Sequence, residues 1–313
     1  MSIYIDRTKA IIFASIALSG LATSVILPIL APLIRELQLS ESQGGWMISI
    51  GSITMAALAS AWGMASDRLG RKPIMLAGFA GLFASYVLYT VVIWHGLAAT
   101  LTGMTLFIAL VVTRALVGAF LPAVPAGAQA LMADNTAPEN RSSGMAIISA
   151  ASGVGLVIGP ALGGLLALRG LIWPLILTTA LCLIALVIVL YAVPKAPRRE
   201  TVRHAPVSPF TQTLFPWLAA GVLTMCSIIT IQISAGFYFQ DRLGLTTAET
   251  GPLLAIALTL VGVTLFVTQV VQVRMLRWQS RRMVLVGTAC WLVALPILLF
   301  TASLYFYFLA YIL

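Results

Sequence analysis

Apolar residues in this chain come in long runs, and polar positions are confined to short stretches between them. The first run covers residues 10–33 and ends at Arg35-Glu36. Further runs lie near 45–65, 74–94, 103–132, 143–166, 170–193, 214–238, 251–273 and 283–300, and a tenth begins near 302. A bilayer core takes about 20 apolar residues per helix, so each complete run is long enough to span one. None alternates polar and apolar positions, which excludes a transmembrane β-barrel. Lipid offers the backbone no hydrogen-bond partner, so the spans must be helices. The first run exceeds the apolar core of a signal peptide, about 7–15 residues, and no convincing small-residue cleavage site follows it. It is read as the first transmembrane helix.

Composition sharpens this picture. Of 313 residues, 60% are hydrophobic and 9% charged, and mean hydropathy is +1.04. So little charge cannot cover a water-soluble surface, and so apolar a chain is not disordered. The net charge of +9 would suggest nucleic acid in a soluble protein. Here the 18 Lys and Arg report topology instead. With the N-terminus in the cytoplasm, 14 of them fall inside: Arg7, Lys9, Arg68, Arg71, Lys72, Arg141, Lys195, Arg198, Arg199, Arg203, Arg274, Arg277, Arg281 and Arg282. Only Arg35, Arg169 and Arg242 fall outside, and Arg114 lies within a span. That asymmetry orients a multi-pass protein of the inner (plasma) membrane and accounts for the charge without nucleic acid. Trp46, Trp62, Trp94, Trp173 and Trp217 sit at span ends as interfacial anchors. Cys182, Cys226 and Cys290 are isolated in apolar runs, as are His95 and His204 elsewhere, so neither a disulfide framework nor a metal site is expected.

The chain divides at a Pro-rich, basic stretch. Residues 1–193 read as an N-terminal six-helix bundle, 194–212 as a cytoplasmic linker and 213–313 as a partial C-terminal bundle. The two sides resemble each other. Leu37-Gln38-Leu39-Ser40 precedes the second span and Leu243-Gly244-Leu245-Thr246 the eighth. Each then offers a capping box, Ser40 with Gln43 and Thr246 with Glu249. The following loops end Arg71-Lys72 and Arg281-Arg282. An offset of 206 to 210 residues reads as a parallel duplication of six-helix halves. Doubled, that offset implies a whole of roughly 420 residues. The tenth span is cut short at Leu313, and a carboxylate stranded in lipid is costly. The sequence therefore reads as a fragment or a truncated product.

Between the second and third spans the chain reads Gly63-Met-Ala-Ser-Asp67-Arg68-Leu-Gly70-Arg71-Lys72-Pro73. This resembles motif A of the major facilitator superfamily, G-x-x-x-D-R-x-G-R-[KR], in the position and on the side where that family carries it. An ordinary positive-inside loop explains the three cations but not Asp67 or the two glycines. Physically the loop suits a gate. Gly63 permits close helix approach, Asp67 can accept from a helix N-terminus, and Arg71 can pair with a carboxylate. Asp134, at the end of the fourth span, is the candidate. The resemblance implies the same pairing and a hold on the outward-facing state.

Two more segments resemble the family. Arg114-Ala-Leu-Val-Gly118 in the fourth span is similar to motif B, R-x-x-x-G, with Val117 where Gln is usual. Arg114 is the only charge deep in a complete span, and intramembrane charge is functional by default. It suits tuning of proton release or attraction of an anionic substrate group. The fifth span reads Gly153-Val-Gly155-Leu-Val-Ile-Gly159-Pro160-Ala-Leu-Gly163-Gly164. Gly155, Gly159 and Gly163 fall on one helical face, suited to backbone-to-backbone packing, and Pro160 removes a helix bond. The GP-x-x-GG core resembles motif C of the drug-exporting branches. The seventh span carries Gln232, Phe237 and Tyr238, whose mixed aromatic and polar character suits either a substrate-binding site or an interfacial aromatic belt.

The nine acidic residues, Asp6, Glu36, Glu41, Asp67, Asp134, Glu139, Glu200, Asp241 and Glu249, all lie in loops or at span ends. A proton-coupling acid is therefore not visible in mid-membrane, and a lone Arg114 suits an anionic or neutral substrate. The resemblance implies an all-α membrane protein of the major facilitator fold, with two pseudo-symmetric six-helix bundles, the second incomplete at about 9–10 helices in all. It implies a monomeric secondary transporter that exports a small amphipathic, drug-like compound by alternating access, with proton antiport as the energy source and no cofactor. No nucleotide-binding loop is present, and the spans hold no cluster of catalytic residues, so no enzyme is expected. Metabolite or siderophore transport is the alternative within this class. A non-transporting membrane sensor or scaffold is the alternative outside it.

Overall fold

The computed structural model describes residues 7–137, 141–193, 211, 215–271, 280–300 and 303–312. Most of the linker read at 194–212, and the basic stretch with Arg274 and Arg277, lie outside the described residues. All described elements are helices: α1 Arg7–Ser24, α2 Leu30–Glu36, α3 Glu41–Leu69, α4 Arg71–Leu97, α5 Gly103–Phe120, α6 Ala123–Asp134, α7 Arg141–Ala167, α8 Ile172–Ala192, α9 Phe215–Arg242, α10 Thr247–Val271, α11 Ser280–Phe300 and α12 Leu304–Ile312. Each of the ten apolar runs carries helix. Seven helical stretches among the described residues are long and apolar enough to cross a membrane, and shorter apolar helices follow at Glu249–Leu265 and Leu285–Phe300.

Two runs are broken, each at proline. In the first, the 3₁₀ turn Leu27–Ile29 carries Pro28 between α1 and α2; proline has no N–H to continue the ladder. In the fourth, Pro122 is the cap residue between α5 and α6. Elsewhere local chemistry sets the turns. Ser40 and Gln43 close a reciprocal capping box at the start of α3. Thr246 and Glu249 do the same for α10, the Thr246 N–H donating to Glu249 Oε2 at 3.0 Å. Gln38 (φ 54°) and Gly244 (φ 66°) occupy equivalent left-handed turns just before these caps, and they lie 206 residues apart, at the offset of the repeat.

The core of the first half joins α1 to α8, with Tyr86, Tyr89, Phe79 and Met75 among its fully buried side chains. α1 packs on α7 and α8, α3 on α5, and α4 on α5, α6 and α8. A second, smaller core forms around Phe239, Leu254, Leu258 and Tyr307. The halves meet where α10 lies along α7 and where α2 meets α9 and α10. Large apolar residues on the outer faces, such as Leu223, Leu292 and Phe300, are exposed, as lipid-facing positions are in a helical membrane protein.

Candidate functional site

The first cluster sits at the end of the helices where α3 turns into α4, here called the basic end. Gly70 makes that turn with φ 97°, a conformation open to glycine and strained for other residues. It sets Asp67, on the last turn of α3, one helical step from Arg71 at the head of α4. The Arg71 guanidinium donates to the Asp67 carboxylate, to Asp134 Oδ2 at 2.9 Å and to Ser66 Oγ at 3.3 Å. Asp134 is the last residue of α6, so one cation ties three helices of the same half together.

Lys72 faces another way. Its Nζ donates to the carbonyls of Leu190 at 2.7 Å and Val193 at 2.6 Å. These are C-terminal carbonyls of α8, which lack partners inside their own helix and attract a cation. Arg68 is exposed.

Three details differ from the sequence reading. Asp67 takes the Arg71 side chain as its donor rather than a helix N-terminus. No described atom lies within 4 Å of a Cβ placed on Gly63, so no described helix packs there. The Arg71–Asp134 pair stays within the first half, and it is present while the halves touch near the opposite end, through Ala31 with Gly236 and Ala167 with Gly251. Forming the pair therefore does not by itself define an outward-open state.

The second cluster surrounds Arg114, on α5. Gly118, one turn on, lies so close to α3 that an added Cβ would strike the Gly51 carbonyl and the Thr54 hydroxyl. Two hydrogen bonds fasten this seam: Thr54 Oγ1 to the Ala115 carbonyl at 3.1 Å, and Trp62 Nε1 to the Ala119 carbonyl at 2.6 Å. Trp62 thus also joins α3 to α5. Over Gly51 the Arg114 side chain reaches towards α4, its guanidinium carbon 5.6 Å from the ring centre of buried Tyr89. The Tyr89 hydroxyl points at Met47 Sδ, 3.8 Å away. Arg114 Nε is buried without a hydrogen-bond partner, and among the described residues no carboxylate pairs with Arg114. A guanidinium so placed can attract a negative or electron-rich group.

On α7 the three glycines of one face meet α1. A Cβ on Gly155 would strike the Gly20 backbone, on Gly159 the Ser24 hydroxyl, and on Gly163 the Val25 carbonyl. Ser24 Oγ donates to the Gly155 carbonyl at 2.7 Å, across the two helices. Gly164 turns the other way, onto Ala255 of α10. Pro160 leaves the Leu156 carbonyl without its helical donor, and Gly262 of α10 packs there: an added Cβ would come 2.8 Å from that oxygen.

The aromatic candidates of α9 do not join Arg114. Phe237 lies under Arg35, 5.6 Å from guanidinium carbon to ring centre, and Tyr238 stacks on Tyr307 at 5.0 Å. The side chain of Gln232 is outside the described residues. Two apolar grooves open on the outer faces, of about 310 Å³ beside Trp46 and Phe107 and about 290 Å³ beside Leu165 and Pro252. Neither is lined by Arg114.

Sequence reasoning missed the Lys72 contact, the Ser24 bridge and an ion pair of Arg35 with Asp241, 2.7 Å long. Each joins residues far apart in the chain whose types alone carry no signal.

Comparison with known proteins bears on what this arrangement serves. The family model described as Major Facilitator Superfamily matches residues 12–313. The class C tetracycline resistance protein of Escherichia coli is 26% identical over 236 residues, covering 72% of this chain and 54% of that protein. Multidrug resistance protein 1 of Bacillus subtilis is 28% identical over 160 residues, covering 51% and 38%. The chain thus spans about half the length, or less, of these curated relatives. Among solved structures, a bacterial homologue of the human lysosomal transporter Spinster, in an inward-facing and occupied conformation, superposes with a TM-score of 0.71. It is 16% identical and matches 100% of this chain and 71% of its own.

Proposed function

Since this chain belongs to the Major Facilitator Superfamily and is a multi-pass membrane protein, we propose that it exports a small amphipathic compound by alternating access. The observation that carries this reading is Arg114: a guanidinium inside a span, against buried Tyr89, with no counter-ion among the described residues. By helix rise it lies about 17 Å along α5 from Gly103. A cation held there without a carboxylate is costly unless something negative visits it. Resemblance to tetracycline and multidrug resistance proteins supports export over uptake, as does the likeness of the α7 glycine segment to the motif of exporting branches.

The basic end is assigned to the cytoplasm and the protein to the inner membrane, on the distribution of Lys and Arg. Residues 1–193 and 213–313 are assigned to the two bundles that rock about a midplane site. The cluster of Gly63, Asp67, Arg68, Gly70, Arg71, Lys72 and Asp134 is assigned to switching at the cytoplasmic end. Gln232, Phe237 and Tyr238 remain proposed substrate contacts of the second half. Proton antiport is the proposed energy source, the protein acting as a monomer.

The test is a pair of fluorescent amphipathic compounds, one anionic and one neutral, in energised vesicles carrying parent or Arg114→Gln. Loss of the charge-assisted contact should slow the anionic compound about ten-fold, the effect of roughly 1.4 kcal/mol, and leave the neutral one within a factor of two. Equal transport of both by the variant would remove Arg114 from the site.

A further inference from the structure

At the end of the molecule opposite the basic loops, one ion pair among the described residues crosses between the halves. Arg35, on the last turn of α2, donates to Asp241 on the last turn of α9 at 2.7 Å. The same guanidinium reaches Glu41 at 3.2 Å and lies over the ring of Phe237. Two of its three partners, Asp241 and Phe237, belong to the other half.

The repeat gives this pair a special position. Leu37 matches Leu243, Gln38 matches Gly244 and Ser40 matches Thr246, each at an offset of 206. The matching left-handed turns at Gln38 and Gly244 hold that register in three dimensions. Extended two residues back, the same register makes Arg35 the counterpart of Asp241. In a parallel duplication the halves are related by a two-fold axis along the membrane normal. Two equivalent residues that touch must lie beside that axis. Like charges there would repel; this chain has opposite ones. The next equivalent pair, Glu36 and Arg242, is exposed and not joined by an ion pair, so the contact belongs to the axis and not to the rim in general.

Beneath it the helices are in direct apposition. A Cβ on Gly236 would strike the side chain of Ala31, and Ala31 is 3% exposed. One turn beyond Gly236, Gln240 is 7% exposed, and both its amide atoms lack a hydrogen-bond partner. A buried amide without partners is a cost to the arrangement that holds it.

We propose that Arg35 and Asp241 form an electrostatic latch on the pseudo-two-fold axis that holds the halves closed at the end away from the basic loops. Glu41 and Phe237 orient the guanidinium from either side. Opening that end separates Arg35 from Asp241 while Arg35 keeps Glu41, so the cation stays paired within its own half throughout. The proposal takes the rocking of two halves from the functional reading, but its test needs no transported compound, and the two stand or fall separately.

The reporter is Ala31→Cys, at a buried position that faces Gly236 of α9. The protein is purified in lipid nanodiscs with Cys226 and Cys290 replaced by serine, leaving Cys182, buried inside the first half, as an internal control for unfolding. The rate of modification by a water-soluble maleimide then reads the population of the open end. Arg35→Glu gathers three carboxylates at the axis and should raise the rate at Ala31→Cys about ten-fold, with Cys182 still protected. Asp241→Asn, which preserves shape, should raise it about three-fold. Adding Asp241→Arg to Arg35→Glu restores opposite charges and should return the rate to within a factor of two of the parent. Parent-like modification in both single variants, or a double variant as reactive as Arg35→Glu, would overturn the latch.

Discussion

Arg71 shows how much one side chain organises at the basic end. Its guanidinium has a carboxylate on each of two other helices, Asp67 at the end of α3 and Asp134 at the end of α6, and its side chain is only 15% exposed while that of Asp67 is 51% exposed. Replacing Asp67 by Asn leaves Arg71 paired with Asp134, so the fold keeps its half-buried cation satisfied. The loss in stability is that of a half-exposed pair, about 1 kcal/mol or less. If the loop serves switching, transport falls far more than stability does. Asp67→Asn should reach the membrane in parent amounts and transport at least about ten-fold more slowly; membrane-fraction immunoblots beside vesicle uptake check it, and full transport removes the switching role. The pairing of Arg71 with Asp134 was readable in the sequence because the motif fixes Arg71 and the fourth span ends in an acid. The grip of Lys72 on the carbonyls of Leu190 and Val193 was not. A cation capping a helix C-terminus has a clear physical signature, but only once α8 is known to end beside α4.

At the scale of the helix, α7 separates two tasks by face. Gly155, Gly159 and Gly163 let α1 approach, while Gly164 and the freed Leu156 carbonyl meet α10 of the other half. The spacing of the glycines made the shared face legible from sequence. It could not say which neighbour fills it, because small residues specify closeness and not identity. A side chain on that face must displace backbone or the bridging Ser24 hydroxyl. Gly159→Val should therefore destabilise the protein by about 1–3 kcal/mol, the cost of overpacking. Gly153, on the same helix, has nothing within 4 Å of an added Cβ, and Gly153→Ala should be neutral or stabilising by about 0.5–1 kcal/mol. Thermal unfolding of the two variants in detergent separates them. Equal midpoints would mean that the α1–α7 contact is not tightly packed. Proline breaks were legible as chemistry but not as outcome: Pro28 and Pro122 interrupt their spans, whereas α7 runs through Pro160.

For the whole molecule, the run lengths and the scarcity of charge foretold a helical membrane protein, and the 206-residue offset foretold its duplication. What they could not foretell is which equivalent positions touch. A repeat fixes correspondence, and only the approach of the halves places Arg35 on Asp241. Nor did the aromatic run of α9 converge on Arg114; Phe237 and Tyr238 serve different neighbours. The molecule has a charged cluster within the first half at the basic end, an ion pair between the halves at the other end, and between them Arg114, which has no carboxylate partner among the described residues. On the function proposed above, the protein moves a compound outwards and draws on a proton gradient. The most direct measurement is uptake of an anionic amphipathic fluorophore into inside-out membrane vesicles with an acidic lumen. The account predicts accumulation that collapses on adding a protonophore and is lost in vesicles lacking the protein. Absence of accumulation there, with uptake into right-side-out vesicles instead, would contradict it.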